Sequence, residues 1–234
     1  MTKRFHIPML LAALLLGSAG GIRAEEGPGD CLGIEFDAQR PIRVARVAKG
    51  ESRAHLIKSA YDDSNCPAAA EACRMRAYLV LGDLVLVGKT KDAFTCIAFE
   101  PPTGKTVRWT RGWLPSARLE PVTPVASPKL ADWIGRWTHP GGEITIARQS
   151  GGKLSAKGLA VIPAAQDTHT GVIEATARPS GGVLAFADAG EPFESEDADC
   201  RVRMQRIGPY LLVEDNGGCG GSAVSFTGLY ARKH

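Results

Sequence analysis

Length, composition and charge already exclude several classes of protein. The chain has 234 residues, with 28 Lys and Arg against 25 Asp and Glu. Three basic residues lie in the first 24 positions, so the remainder carries 25 charges of each sign and lacks the basic excess typical of nucleic-acid-binding domains. With 27 Gly and 15 Pro, the composition favours short strands joined by tight turns over a helical protein.

The first 24 residues have the pattern of a secretory signal peptide. Lys3 and Arg4 precede an apolar run over 7–16, and small residues follow up to Ala24, which is the order of a cleaved signal. That run is too short for a membrane span, which needs about 20 apolar residues. We therefore expect cleavage after Ala24 and a periplasmic or secreted protein without an integral membrane segment.

Residues 25–120 predict a first β domain. Apolar runs and turn residues indicate an alternating stretch at 42–47, two strands within 77–87, a strand at 94–99 and a Gly112-Trp113-Leu114 strand. Over about 75–119 this order resembles the bacterial SH3-like domain, whose last strands carry Gly-Trp and a one-turn helix, and the resemblance implies that helical turn at 116–118. We expect residues 31–74 to add strands and a disulfide-held loop.

A proline-rich linker, residues 121–130, separates the two halves of the chain. Pro121, Pro124 and Pro128 each lack a backbone N–H, which disfavours helix and sheet pairing and favours an extended spacer. We therefore predict two domains, residues 25–120 and residues 131–234.

Residues 131–234 predict an eight-stranded antiparallel barrel, which makes the whole chain all-β. Along 201–205, apolar residues alternate with Arg and Gln, so we expect one buried face and one face in water. Short strands joined by hairpins close most simply as an up-and-down barrel, which removes exposed edges. The predicted strands cover about 134–138, 142–148, 153–162, 170–178, 182–187, 200–207, 210–215 and 222–232.

The start of this region, Gly135-Arg136-Trp137, resembles the first strand of a calycin barrel, the group that holds lipocalins and avidins. In that group the tryptophan lies at the closed end of the barrel, often under an arginine from late in the chain. The resemblance implies that Trp137 lies there beneath Arg232. The biotin-contacting residues of avidins do not map onto this chain, so biotin binding is not implied. Residues 213–232 also resemble the end of uncharacterised exported bacterial proteins, some of which carry a lysozyme-inhibitor-type domain.

All six cysteines lie beyond the predicted signal, where an even number predicts disulfide bonds. If no bond crosses the proline-rich linker, Cys200 pairs with Cys219. A hairpin centred on Gly208-Pro209 places residue 200 opposite residue 217, which brings Cys219 within reach just past the strand end. No Cys-x₂-Cys motif indicates a metal site.

The first four cysteines leave three pairings open, of which we favour Cys66–Cys73 with Cys31–Cys96. In a straight helix the Cα atoms of Cys66 and Cys73 would lie about 10.5 Å apart, beyond the reach of a disulfide. The local bond therefore requires a bent loop, which Pro67 favours.

Four aromatic residues are the candidate ligand-binding residues: Tyr78, Trp109, Trp113 and Trp137. The SH3-like resemblance implies that aromatics beside the Gly-Trp strand form a ligand groove, while one tryptophan belongs to the core. We assign Trp113 to the core and Trp109 to the groove. Trp137 is expected inside the barrel, which at eight strands is either filled by side chains or holds one small ligand.

No arrangement of residues predicts catalysis or a metal site. His139 and His169 belong to no catalytic motif, and we interpret both as solvated turn residues. Gly88-Lys89-Thr90 and Gly104-Lys105-Thr106 lack the second glycine of a phosphate-binding loop and are interpreted as hairpin turns. The acidic stretch 191–199 lacks the spacing of a calcium loop and is predicted to be a solvated loop.

These patterns predict a non-catalytic envelope protein that binds a peptide, a cell-wall fragment or a protein partner, without cofactor or metal. One alternative is a barrel that carries a small apolar ligand. Another is an inhibitor of a hydrolase such as lysozyme, which would act through the segment 188–199. The sequence leaves the oligomeric state open.

Overall fold

The computed structural model describes residues 27–101, 109–163, 168–188, 191–195, 197–221 and 223–233. The predicted signal peptide with Ala24, the Gly104-Lys105-Thr106 turn and Glu196 of the acidic stretch lie outside the described residues. Within these ranges the chain is all-β, as predicted, and folds into two antiparallel sheets. No described helix is long and apolar enough to cross a membrane.

The first sheet has seven strands in the order β3-β2-β6-β5-β4-β1-β7. Its strands are β1 (Arg43–Val47), β2 (Arg53–Ile57), β3 (Arg74–Val80), β4 (Leu84–Lys91), β5 (Phe94–Phe99), β6 (Thr110–Pro115) and β7 (Leu119–Val122). A single 3-10 turn, Ser116–Arg118, joins β6 to β7, where the SH3-like resemblance implies a one-turn helix. Alternate residues such as Val85, Ile97 and Leu114 form the inner core of this sheet.

The proline-rich linker begins as a strand, so the prediction that it does not pair is wrong at its start. Strand β7 pairs with β1, with Pro121 opposite Ala45. Because β7 lies at the edge of the sheet, the missing N–H of a proline can face away from the ladder. Further along, the Val125 amide donates to the carbonyl of Arg206 at 2.8 Å, which attaches the linker to the second sheet.

Gly88-Lys89-Thr90 is not a hairpin turn, contrary to prediction, but lies within β4. The turn follows at Asp92, which adopts the left-handed conformation with φ 51°. Lys91 then pairs with Phe94 across the hairpin. An aspartate tolerates this backbone conformation better than most residues, so the turn can lie at Asp92 and does not need the glycine on which the prediction depended.

The second sheet is the predicted eight-stranded barrel, nearly closed. Chain neighbours are hydrogen-bonded throughout except β11 and β12, and the last strand pairs with the first. A short helix, α1 (Leu130–Trp133), precedes it. The strands are β8 (Gly135–His139), β9 (Gly142–Arg148), β10 (Leu154–Pro163), β11 (Thr168–Ala177), β12 (Val183–Ala187), β13 (Arg201–Ile207), β14 (Tyr210–Asp215) and β15 (Gly228–Lys233).

Seven of these strands agree with the predicted bounds to within two residues, and β15 is the exception. It begins at Gly228, not at 222. The reason is the carboxylate of Asp215, whose Oδ1 accepts the backbone N–H of Phe226 at 3.2 Å and of Thr227 at 3.1 Å. These amides are therefore withdrawn from any strand ladder.

One end of the barrel is closed by two buried tryptophans. The indole N–H of Trp137 donates to the carbonyl of Trp133 at 2.8 Å. Arg232 lies over the Trp137 ring at 4.7 Å, as predicted, and Arg206 lies over it at 4.4 Å. Burial, and secondarily the charge of Arg232, lower the pKa of Arg206. Both guanidinium groups donate to the carbonyl of Asp132, which holds them in place.

The two sheets share an apolar interface. Ile42, Leu86 and Ala98 of the first sheet pack against Leu212 and Leu229 on the outer face of the barrel. This packing covers barrel strands that an isolated barrel would expose. The linker therefore joins two sheets that are packed against each other.

The outer face of β13 is consequently buried, and the prediction that it faces water is wrong. Arg203 is 4% exposed and Gln205 is 8% exposed. The Arg203 guanidinium donates to both carboxylate oxygens of Glu214, at 3.2 and 2.7 Å. It also donates to the carbonyls of residues 37, 38 and 40 at 2.9–3.1 Å. A buried ion pair on the barrel thus holds the segment that enters the first sheet.

The structure contains the three disulfides that the sequence favours. Cys31–Cys96, Cys66–Cys73 and Cys200–Cys219 are bonded, with Cα atoms 4.5–5.7 Å apart. The hairpin register of Ile207 opposite Tyr210 is the one predicted for the last bond. The two N-terminal bonds pack around the side chain of Trp113, which makes this corner a covalently reinforced core.

Candidate functional site

A cleft of about 370 Å³ lies between the first sheet and the end of the barrel opposite Trp137. We call it the inter-sheet cleft. The pairing of Arg232 with Trp137 places the start of β15 and the end of β8 at this opposite end. Its two walls are Ile34, Phe36, Leu86, Ala98, Trp109 and Arg111 on one side, and His139, Gly141, Ile162, Asp215, Asn216, Gly217, Ala223, Ser225 and Thr227 on the other.

Strand pairing produces the first wall. Ala98 on β5 lies opposite both Leu86 on β4 and Arg111 on β6, so the three residues form a row across the sheet. The Arg111 guanidinium donates to the carbonyl of Leu32 at 2.6 Å and remains exposed. A guanidinium has five N–H donors, so this arginine keeps donors for a ligand. Phe36 and Trp109, both half-buried, add aromatic surface.

Asp215 at the end of β14 organises the opposite wall. It is 4% exposed, and its Oδ1 accepts bonds from the hydroxyls of Ser225 and Thr227 at 2.5 and 2.7 Å, besides the two backbone amides named above. These contacts hold the chain before β15 against the barrel end. Its Oδ2 is buried and has no hydrogen-bond partner among the described residues.

His139 is not the solvated turn residue that the sequence predicts. Its side chain is 4% exposed and pairs through Nε2 with Glu100, whose side chain is 2% exposed. Its Nδ1 accepts the N–H of Gly141 at 3.3 Å, so the proton belongs on Nε2, where it is donated to the carboxylate. Glu100 directly follows β5, so this pair brings the end of β5 against the end of β8 and both side chains are buried.

Tyr230 lies beneath this pair. Its ring stacks on that of His139 with centroids 4.9 Å apart, and it is fully buried. Burial, followed by the nearby carboxylates of Asp215 and Glu100, raises the pKa of Tyr230 far above its usual range. Its hydroxyl has no hydrogen-bond partner among the described residues, so a neutral phenol is held inside the barrel end.

The four predicted ligand-binding residues do not come together. Trp109 lines the inter-sheet cleft. Trp113 is fully buried beside the N-terminal disulfides, as expected for core, with its indole donating to the carbonyl of Gly29 at 3.1 Å. Trp137 is fully buried at the far end of the barrel. Tyr78 is 43% exposed on the edge strand β3, where it stacks with Arg53 at 4.7 Å.

Most of the cleft residues escape sequence reasoning. Because Asp215 precedes Asn216-Gly217, the sequence pattern predicts only the start of a turn there. Arg111 is one of many charged residues, and no pattern distinguishes it from the others. Nothing in the sequence links Glu100 to His139, because the two residues are 39 positions apart and no periodic signal connects them. The aromatic character of Trp109 is the one sequence feature that pointed to this place.

The acidic stretch is exposed where it is described. Glu191, Glu194, Asp197 and Asp199 face solvent. Two apolar residues of the stretch are less exposed: Ala198 is buried, and the Phe193 ring packs edge-on against Phe36 at 6.1 Å. In the part of the chain that the structure describes, no group of three or more His, Cys, Asp or Glu is placed to hold a metal ion.

No protein family, curated protein or solved structure that we compared matches the chain.

Proposed function

We propose that this chain is a non-catalytic, exported envelope protein that binds a peptide or cell-wall fragment in the inter-sheet cleft. The observation that carries the proposal is the cleft itself, about 370 Å³ in volume, with aromatic surface and polar groups facing each other. Ligand pockets have volumes of about 300–1,000 Å³ and combine apolar walls with a few placed polar groups.

The chemistry of the walls suits such a ligand. Phe36 and Trp109 offer faces for the apolar side of a sugar ring or a peptide side chain. Arg111 offers guanidinium N–H donors on one wall, and the Asp215 carboxylate is an acceptor on the other. Together they provide stacking and hydrogen bonding in one site.

The hydrogen bonds of His139 support binding in preference to catalysis. A general base needs a free nitrogen within hydrogen-bond reach of the ligand proton. Here Nε2 is paired with Glu100 and Nδ1 accepts from Gly141. Both ring nitrogens are therefore engaged within the protein, and the imidazole fastens two structural elements together.

The packed interior of the barrel favours the inter-sheet cleft as the binding site over a cavity for an apolar ligand inside the barrel. Inward side chains such as Trp137, Phe226 and Leu154 are fully buried against one another. An eight-stranded barrel filled in this way has its interior occupied by its own side chains. The envelope setting rests on the N-terminal signal pattern and on three disulfides, which persist in oxidising compartments.

Retention on purified, insoluble peptidoglycan tests the proposal. We compare the mature chain with Trp109→Ala and with Tyr78→Ala, an exposed aromatic outside the cleft. Trp109→Ala is expected to weaken retention about fivefold or more, since a central aromatic contact is worth more than about 1 kcal/mol. Tyr78→Ala is expected to bind as the wild type does. Because Trp109 also contacts the interface core, circular dichroism and thermal unfolding check each variant. Equal retention of both variants, or hydrolysis of the polymer, would refute the proposal.

A further inference from the structure

The buried carboxylate of Asp215 indicates what kind of ligand the inter-sheet cleft takes. Its Oδ1 accepts from Ser225, Phe226 and Thr227, which accounts for its structural role. Its Oδ2 is buried without a partner among the described residues. Leaving a buried charged oxygen unpaired is costly, so this atom needs a donor that the described chain does not supply.

Asp215 differs from the other buried groups that lack a partner. Those atoms belong to Arg118, Trp133, Arg201, Gln205, Arg206 and Tyr230, and none of these residues lines the inter-sheet cleft. Within the described residues, Asp215 alone combines an unpaired buried polar atom with a place in the cleft wall. Because Asp215 lines the cleft, a ligand bound there can supply the missing donor when the carboxylate turns to expose Oδ2.

The charged groups of the cleft are complementary to a molecule with two opposite charges. Among its lining residues, Asp215 is the acid and Arg111 is the arginine, and they stand on opposite walls. One N–H of Arg111 donates to the Leu32 carbonyl, and its other N–H groups can pair with a ligand carboxylate. The Glu100 carboxylate is paired with His139, so it does not replace Asp215 as the partner of a cation.

We infer that the inter-sheet cleft selects a short peptide with a free ammonium and a free carboxylate, the ammonium donating to Asp215 Oδ2 and the carboxylate pairing with Arg111. This inference rests on the proposed function and narrows it, because it chooses peptide over glycan. Charge-assisted hydrogen bonds of this kind are the strong ones in protein recognition.

The experiment varies the ligand before the protein. The obvious variant, Asp215→Asn, would also disturb the hydrogen bonds that hold residues 225–227. The probes are trialanine, N-acetyl-trialanine, trialanine amide and the uncharged disaccharide N,N′-diacetylchitobiose. Binding is followed by Trp fluorescence and by calorimetry at pH 7. Trialanine is expected to bind, and capping either end is expected to weaken binding about tenfold or more, the effect of losing a charge-assisted hydrogen bond. The disaccharide is expected to bind no better than the capped peptides.

A pair of surface variants completes the experiment. Arg111→Gln is expected to weaken trialanine about tenfold while binding trialanine amide as the wild type does. The control Arg148→Gln removes an exposed arginine of β9 outside the cleft and is expected to change neither affinity. Equal affinities for free and capped peptides, preference for the disaccharide, or no peptide binding by a protein that peptidoglycan retains would each overturn the inference. The last two outcomes would leave the proposed function standing.

Discussion

Replacing Arg203 by methionine should destabilise the protein far more than replacing an exposed arginine. The substitution keeps an unbranched, flexible side chain, although a shorter one, and removes the charge. It leaves the Glu214 carboxylate, which is 0% exposed, with the N–H of Ile42 at 3.0 Å and without its cation. Removing one partner of a buried ion pair lowers the free energy of unfolding by about 3–5 kcal/mol. We therefore expect Arg203→Met to lower the free energy of unfolding by about that amount.

The double variant Arg203→Met, Glu214→Leu separates the buried charge from the rest of the contact. It removes both charges, and a buried pair replaced by apolar groups is often close to neutral. The carbonyls of residues 37, 38 and 40 still lose their donor, although this segment is partly exposed and can bind water instead. The double variant should thus be less stable than the wild type by about 1–3 kcal/mol and more stable than the single variant.

Equilibrium unfolding in urea, with the disulfides intact, measures these differences. Arg136→Met serves as the control, because Arg136 forms an exposed ion pair with Glu143, and exposed pairs are worth about 0–1 kcal/mol. The reasoning would be refuted if Arg203→Met cost less than about 1 kcal/mol, or if adding Glu214→Leu lowered stability further. Either result would mean that the carboxylate regains water once the arginine is gone.

Two further predictions concern the polar groups under the inter-sheet cleft. Tyr230→Phe should leave stability at pH 7 unchanged or raise it by about 1 kcal/mol, because an unpaired buried hydroxyl is removed. Because the folded-state pKa of Tyr230 is raised, wild-type stability should be full below about pH 10, the pKa of an unfolded tyrosine. Above that pH the free energy of unfolding of the wild type should fall more steeply than that of Tyr230→Phe, by about 1.4 kcal/mol per pH unit. Urea midpoints of the two proteins that change in parallel from pH 9 to 11.5 would contradict this. Gly228→Ala should cost about 1–3 kcal/mol, since its Cβ would lie 2.6 Å from Nε2 of His139. Gly221→Ala, with nothing nearer than 3.8 Å, should stay within about 0.5 kcal/mol in the same unfolding assay, and equal losses for both glycines would count against the close packing of His139.

The strands were largely predictable because their signals are local. Turn residues and period-2 alternation report where a strand begins, where it ends and which residues share a face. The beginning of β15 was not predictable in this way. Its bound depends on Asp215, whose carboxylate takes the backbone amides of Phe226 and Thr227, and no periodic pattern records such a capture.

The candidate site was far less predictable than the strands. Trp109 could be selected from its position before the Gly-Trp strand. The pairing of His139 with Glu100, and the unpaired Oδ2 of Asp215, depend on how the two sheets meet. From the sequence alone, a histidine before a proline is predicted to lie in a solvated turn. Its burial depends on a strand end from the other sheet, which the local sequence does not show.

The sequence by itself determined the all-β character and the eight strands of the barrel, all but the start of β15 to within two residues, and it favoured the disulfide pairing that the structure contains. Only the tertiary structure decided which faces are buried. Alternation divides a strand into two faces, but whether a face meets water or another sheet depends on segments far away in the chain. Arg203 lies under residues 37–40, more than 160 positions earlier. The inter-sheet cleft arises in the same way, because each of its walls is an ordinary sheet surface until the other is packed against it.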